Sequence, residues 1–126
     1  MIDGIVDTTV VIHLYRGDNN AVTWIKSVAA LGVTPITWME TIYGARGGRG
    51  QLESLKILRR FQLVYLTQTD QTWAMEQLLE KRLKFGVAMN DCLIASVCHR
   101  LQVPIYTHNV KDMVRVLDPH LVIKPY

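Results

Sequence analysis

Short apolar runs alternate with longer amphipathic stretches from one end of the sequence to the other. Ile5 and Val6 read as the end of a short buried strand, and Val10, Val11 and Leu14 mark one side of a helix over 9–15 that follows at once. Gly17 suits that helix's C-terminus, and Asp18 or Asn19 can cap a second helix. Its stripe of Val22, Ile25, Val28 and Ala29 runs to about Leu31, where Gly32 stops it. A second strand is expected over 33–36, against the objection that Pro35 donates no ladder hydrogen bond. Thr37 and Glu40 have the spacing of a capping box, so a third helix should start there with Met39, Ile42 and Tyr43 facing inward.

The glycine-rich stretch 44–50 lacks the Gly-Lys-Ser/Thr ending of a phosphate loop and follows a helix, so it reads as a flexible basic linker. Leu52, Leu55, Leu58 and Phe61 then recur every three residues, with Ile57 alongside, and define another helix. A strand over 63–66 leads to a longer helix that starts at Thr69 and Asp70 and closes at Gly86. From Cys92 to Cys98 only Ser96 is polar, so that helix must be almost surrounded by protein. Strands over 103–107 and 121–123 complete the pattern. This alternation predicts a three-layer α/β/α sandwich with a mostly parallel central sheet, as one domain over 1–126.

Composition adds bounds. A chain of 126 residues with 49% hydrophobic content can bury one ordinary core. No apolar run approaches the roughly 18 residues of a membrane span, and no basic segment leads into a long apolar one, so a soluble cytoplasmic protein is expected. Cys92 and Cys98 lie six apart on one helix, on different faces, and are expected as buried thiols. Trp24, Trp38 and Trp73 read as core or interface. The net charge of +3 is unevenly spread: Arg46, Arg49, Lys56, Arg59 and Arg60 face the single acid Glu53, and Lys81, Arg82 and Lys84 form a second cluster. Such clusters suit a polyanion, whose phosphates lysine and arginine neutralise, with a solvated helix face as the plainer alternative.

Right-handed crossovers place Asp7, the segment 37–40 and the turn 107–112 along one edge of the sheet, at the carboxyl ends of its strands, where ligands bind in such folds. Each acid has a simpler duty available. Asp7 can cap a helix, Glu40 can close a capping box, and Asp91 favours its helix N-terminus jointly with Asn90. Capping does not explain why one edge gathers Asp7, Glu40 and Asp112 with Asp91 nearby. Clustered carboxylates repel, and the usual compensation is a divalent cation with oxygen ligands, Mg²⁺ or Mn²⁺.

Four segments in order, Ile5-Val6-Asp7-Thr8-Thr9-Val10, Thr37-Trp38-Met39-Glu40-Thr41-Ile42-Tyr43-Gly44-Ala45-Arg46, Asn90-Asp91-Cys92-Leu93-Ile94-Ala95 and Tyr106-Thr107-His108-Asn109-Val110-Lys111-Asp112, resemble the motif set of PIN-domain ribonucleases. Among these they are most similar to the VapC-type toxins of bacterial toxin–antitoxin pairs. The resemblance implies an α/β/α sandwich, Mg²⁺- or Mn²⁺-dependent endonucleolytic cleavage of RNA, a homodimer and inhibition by a cognate antitoxin. Asp7, Glu40 and Asp91 match the family's three acidic metal-site positions. Asn109 stands where many relatives place a fourth acid, and Asp112 is the nearest carboxylate to it. Thr8 and Thr107 are candidate hydroxyl partners to the site, with local capping or pairing as the alternative, and Arg46, Arg49, Arg59 and Arg60 are candidate RNA contacts.

Two other acid-cluster classes fit less well. A haloacid-dehalogenase-like phosphatase needs an aspartate two residues after Asp7, where this chain has Thr9, and the late-strand lysine of a receiver module has no counterpart. The remaining alternative is a non-catalytic PIN-like protein that binds RNA or an antitoxin.

Overall fold

A computed structural model describes residues 1–126. In chain order the elements are β1 (Gly4–Val6), α1 (Thr8–Tyr15), α2 (Asn19–Ser27), β2 (Leu31–Val33), α3 (Pro35–Tyr43), α4 (Gly47–Leu58), β3 (Gln62–Leu63), α5 (Gln68–Phe85), α6 (Met89–Leu101), β4 (Ile105–Tyr106), α7 (Val110–Met113), a 3-10 turn (Pro119–Leu121) and β5 (Val122–Ile123). The five strands form one sheet in the order β3-β2-β1-β4-β5, and every pairing is parallel. The chain steps outward from β1 through β2 to β3, then returns to lay β4 on the other side of β1. The strand order reverses between β1 and β4, and a crevice opens there beyond the carboxyl ends of the strands.

Both faces of the sheet are covered, so successive strand residues enter different cores. Ile5 and Ile105 pack with Ala74, Val87, Met113 and the apolar side of α6, from Cys92 to Cys98. Val6, Leu31 and Val33 pack on the opposite face with Val10, Val11, Leu14, Ala21 and Leu58 from α1, α2 and α4. Helix α6 is the central helix that its composition predicts, and Cys92 and Cys98 are free thiols buried within it. Trp24 and Trp38 pack against the second core and Trp73 against the first. No helix is long and apolar enough to cross a membrane.

Several boundaries differ from those read off the sequence. Helix α2 stops at Ser27 and does not reach Leu31, because Leu31 pairs with Gly4 and must already be extended. Pro35 is not in a strand. It occupies the first turn of α3, where its missing N–H costs nothing, and Thr34 caps the helix by accepting from Thr37 N–H at 3.3 Å. The helix therefore begins before Thr37, so Thr37 and Glu40 form no capping box and the face presented inward rotates. Met39 and Tyr43 point to solvent, while Thr37 and Thr41 are buried.

Residues 47–50 belong to α4 and are not a linker. Gly50 is buried where α4 crosses α1, and a Cβ there would sit 3.2 Å from the Tyr15 hydroxyl, so glycine permits the close approach. Leu52, expected inside, is exposed, and Ser54 is buried instead. The strands after β2 are shorter than expected, with Val64 to Leu66 and Val103 lying outside them.

The longest helix, α5, is fixed at both ends. Thr67 and Asp70 make a reciprocal capping box, and Gly86 closes α5 at φ 67°. Asp70 is buried and also accepts both of its contacts from Arg100 Nε at 2.9 Å, joining α5 to α6. Removing one partner of a buried pair leaves an uncompensated group. Asp70→Ala is expected to lower unfolding stability by roughly 3 kcal/mol in urea denaturation, with Asp70→Asn intermediate. A loss under about 0.5 kcal/mol, the scale of an ordinary surface change, would show that the pair does not fasten the two helices.

Candidate active site

Asp7 follows β1 directly and turns the chain into α1. Its carboxylate is buried. Oδ1 accepts from Thr8 N–H at 2.8 Å, and Oδ2 accepts from the Thr107 hydroxyl at 2.6 Å. A helix cap normally accepts from the second or third helical N–H, so the side chain of Asp7 is only partly engaged in capping. Thr107 directly follows β4, and its oxygen also accepts from Asn109 N–H at 2.9 Å, which sets the direction of the following turn.

Glu40 lies in α3, past its first turn, and caps nothing. Oε1 accepts from the Thr8 hydroxyl at 2.7 Å, and Oε2 accepts from Asn90 Nδ2 at 3.1 Å. Asp91 lies in the first turn of α6, whose cap residue Ala88 offers no side-chain hydrogen bond, and its Oδ2 accepts from Asn109 Nδ2 at 3.3 Å. Thr8 therefore holds two carboxylates from distant segments, one through its N–H and one through its hydroxyl.

The three acids converge on an open cleft of about 450 Å³, lined also by Thr8, Thr9, Ile12, His108 and Asn109. Asn109 is part of this lining. Asp112, exposed on α7, is not, although it is near enough for its charge to act on Asp91. Thr9, Ile12, Asn90 and His108 had no role in the sequence-based site. His108 is adjacent to Thr107 in a turn already singled out, which is the one signal for it. Its ring packs against His13 and Tyr126 at 4.8 and 4.5 Å, with Nε2 buried and without a partner. Burial, then the neighbouring His13 and Lys124, hold its imidazole below the usual range.

The structure divides the basic run. Arg46 lines a second depression of about 250 Å³ that shares Ile12 and Glu40 with the cleft, together with Arg16, which the clustering of charges along the chain did not single out. Arg49 is exposed on the first turn of α4. Arg59 and Arg60 lie where the chain enters β3, at the amino edge of the sheet, and Arg60 borders a separate depression with Lys26, Leu31 and Phe61. They are not brought to the carboxylates.

None of the ion pairs in the molecule reaches Asp7, Glu40 or Asp91. Burial pushes the Asp91 carboxyl up to about 6, and the charges of Asp7, Asp112 and Glu40 add to this. Burial also raises Asp7, against the lowering effect of its bonds from Thr107 and Thr8, and Glu40 raises it further. The donors are carboxylate oxygens with hydroxyl and amide oxygens beside them, a set suited to a hard cation such as Mg²⁺ or Mn²⁺. No three of the acidic groups close into a finished metal cage. An ion bound by these groups would keep several waters and take one or two carboxylates directly.

The burial of Asp91, with the repulsion added to it, has a measurable consequence in metal-free protein. Because the folded value for Asp91 lies above the ordinary 3.8, its contribution to stability is full below about pH 4 and is lost as pH rises through about 6. In EDTA, Asp91→Asn should melt higher than the parent at pH 7.5, and the difference should shrink to nothing near pH 4. A variant that melts lower at pH 7.5 would show that the carboxylate is compensated within the chain.

A comparison with curated proteins gives no match. Among solved structures, the chain is similar to a toxin–antitoxin complex from Klebsiella pneumoniae, with 21% identity, 98% of each chain covered and a TM-score of 0.75. It is similar to VapBC2 from Rickettsia felis bound to a DNA fragment from their promoter, with 19% identity, 98% of each chain covered and a TM-score of 0.79. FitAcB from Neisseria gonorrhoeae is 17% identical over 97% of each chain, with a TM-score of 0.76. At such identities these likenesses establish the three-layer fold. The sequence itself matches the family model of the PIN domain over residues 4–116. That span runs from β1 past α7 and includes every carboxylate of the cleft, and on it the chain belongs to the PIN domain family.

Proposed function

We propose that this protein is a divalent-metal-dependent endoribonuclease of the VapC type, the toxin of a cytoplasmic toxin–antitoxin pair, acting as a homodimer and held in check by a cognate antitoxin. One observation carries the reading: Asp7, Glu40 and Asp91 are gathered from three distant segments at the switch point of the sheet, and none of them is in an ion pair. Capping accounts for neither Glu40 nor Asp91. One of the similar structures, that from Klebsiella pneumoniae, is of a toxin–antitoxin complex, which supports the antitoxin partner. Two free buried thiols suit a reducing compartment.

In this reading Asp7, Glu40 and Asp91 would hold Mg²⁺ or Mn²⁺, directly or through water, and the ion would supply Lewis acidity toward water and phosphate. The chain's own part is positioning. Thr107 and Thr8 N–H fix both oxygens of Asp7, the Thr8 hydroxyl and Asn90 orient Glu40, and Asn109 orients Asp91 without adding charge. Arg16 and Arg46 continue the cleft beyond Glu40 and are placed to take adjoining phosphates. Water attacks phosphorus in line and the P–O3′ bond breaks, leaving 5′-phosphate and 3′-hydroxyl ends. Asp112 shapes the field at Asp91 from outside the cleft.

Purified protein incubated with labelled RNAs should cut only with Mg²⁺ or Mn²⁺ and leave 5′-phosphate ends. Asp7→Asn, Asp91→Asn and Glu40→Gln should stay folded while cleavage falls by roughly a hundredfold or more. Metal at 100 times its dissociation constant should stabilise the parent by about 2.7 kcal/mol, an increment reduced in Asp7→Asn and Asp91→Asn. Cutting that persists in EDTA or leaves a cyclic phosphate would sink the mechanism. Binding without cleavage under any metal would favour the non-catalytic alternative.

The division of the basic residues gives a second test. Arg16→Ala and Arg46→Ala should each weaken RNA binding and flatten its log–log salt dependence by about 0.7 per lost phosphate contact. Arg59→Ala with Arg60→Ala should leave the slope nearly unchanged. The opposite pattern would move the RNA track to the amino edge of the sheet.

A further inference from the structure

Along α5, Ala74, Leu78, Lys81 and Phe85 follow one another at steps of four, three and four residues and so share one face of the helix. Ala74 and Leu78 pack into the core on that face. Beyond them the helix outruns the core: Lys81 is half-buried, and Phe85 is 38% exposed just before Gly86 ends the helix. The Arg115 guanidinium, from the segment after α7, lies over the Phe85 ring at 4.4 Å from its centroid, and the Lys84 ammonium lies at 5.2 Å. Two segments distant in the chain thus bring their cations to one aromatic ring.

This corner adjoins the cleft on the Asp91 side. Phe85 precedes Asp91 by six positions and the chain is helical from Met89, which keeps the ring within about 20 Å of the carboxylate. Burial raises the Cys92 thiol, Asp91 raises it further and Lys81 opposes them, so the Lys81 ammonium reaches the start of α6. Arg115 N–H bonds to the Asp112 carbonyl at 3.1 Å, and the charge of Asp112 acts on Asp91. Lys81, Arg82, Lys84, Lys111 and Arg115 outnumber Glu80 and Asp112 in these two segments, and none of the five is in an ion pair. A solvated helix face needs no aromatic support for its cations. An arginine laid on a ring has its fork already placed, so it loses less freedom when an anion binds.

We propose that Arg115, held by the Phe85 ring, is a phosphate-binding subsite for single-stranded RNA on the Asp91 side of the cleft, with Lys81 and Lys84 adding to the positive field around it. The proposal rests on the endoribonuclease reading above and complements Arg16 and Arg46, which border the Glu40 side. A strand with one phosphate at the carboxylates then meets cations along its backbone in both directions. The planar fork of Arg115 suits two oxygens of a single phosphate. Phe85 touches no RNA in this arrangement and is a positioning residue, acting through Arg115.

Binding of a fluorescein-labelled single-stranded RNA to the full chain, measured in EDTA across a salt series, tests it. Arg115→Ala should weaken binding roughly tenfold and flatten the log–log salt dependence by about 0.7, the share of one phosphate contact. Arg115→Lys should keep the slope and still lose affinity, because an ammonium presents no planar fork. Phe85→Ala should lose affinity at unchanged slope and cost nothing further in the Arg115→Ala background, whereas Phe85→Tyr should bind like the parent. With Mg²⁺ present, the losses should enter KM and leave kcat unchanged. Arg115→Ala with the parent's affinity and slope would overturn the subsite and leave the nuclease reading intact. Additive losses in the double variant, or Arg115→Lys equal to the parent, would show a charge that needs no ring and overturn the role of Phe85. A subsite that behaves as described in a protein that never cuts RNA under any metal would overturn the nuclease reading and leave the subsite standing.

Discussion

The hydrogen bond from the Thr107 hydroxyl to Asp7, 2.6 Å long, is the contact on which the site depends. It exists because β1 and β4 are parallel neighbours, with Val6 in register with Tyr106, so that the residues just past both strands emerge side by side. Burying a carboxylate is costly unless its oxygens are satisfied. Here one oxygen is held by the start of α1 and the other by the end of β4. The same threonine receives Asn109 N–H and so aims the turn that brings Asn109 to Asp91. Strand register, a helix start and a polar turn thus converge on a single hydroxyl.

The acids of the cleft were legible because each stands at a junction that local pattern reveals: apolar run into polar residue, or polar residue into apolar helix. Asp7 and Asp91 are of this kind, and sheet topology then puts them on one edge. Glu40 was legible for the wrong local reason. The spacing of Thr37 and Glu40 and the spacing of Thr34 and Thr37 both propose a helix start, and nothing in the spacing chooses between them. Pro35 does, since a first helical turn tolerates its missing N–H and a paired strand does not. The shift frees Glu40 from the helix backbone and leaves it to Thr8 and Asn90.

What could not be read depends on partners far away in the chain. The glycines around residue 50 suggest looseness until Tyr15 of α1 is seen against one of them. Arg16 and Arg46 belong to no common run, yet they border one depression, whereas Arg46 and Arg60 belong to one run and are separated by the length of α4. Charge clustering along a sequence follows the order of residues. Clustering in space follows the crossing of α1, α3 and α4.

The separation of Asp7 from Thr107 by 100 positions also has a consequence for synthesis. Chains emerge from the ribosome amino end first, and a contact between such distant residues requires closing a long loop. Until β4 has emerged and paired, Asp7 has no Thr107 and Asp91 has no Asn109. A growing chain of about a hundred residues already carries all three acids of the cleft but lacks the turn that sets two of them. The order of translation delays completion of the centre until most of the polypeptide is made.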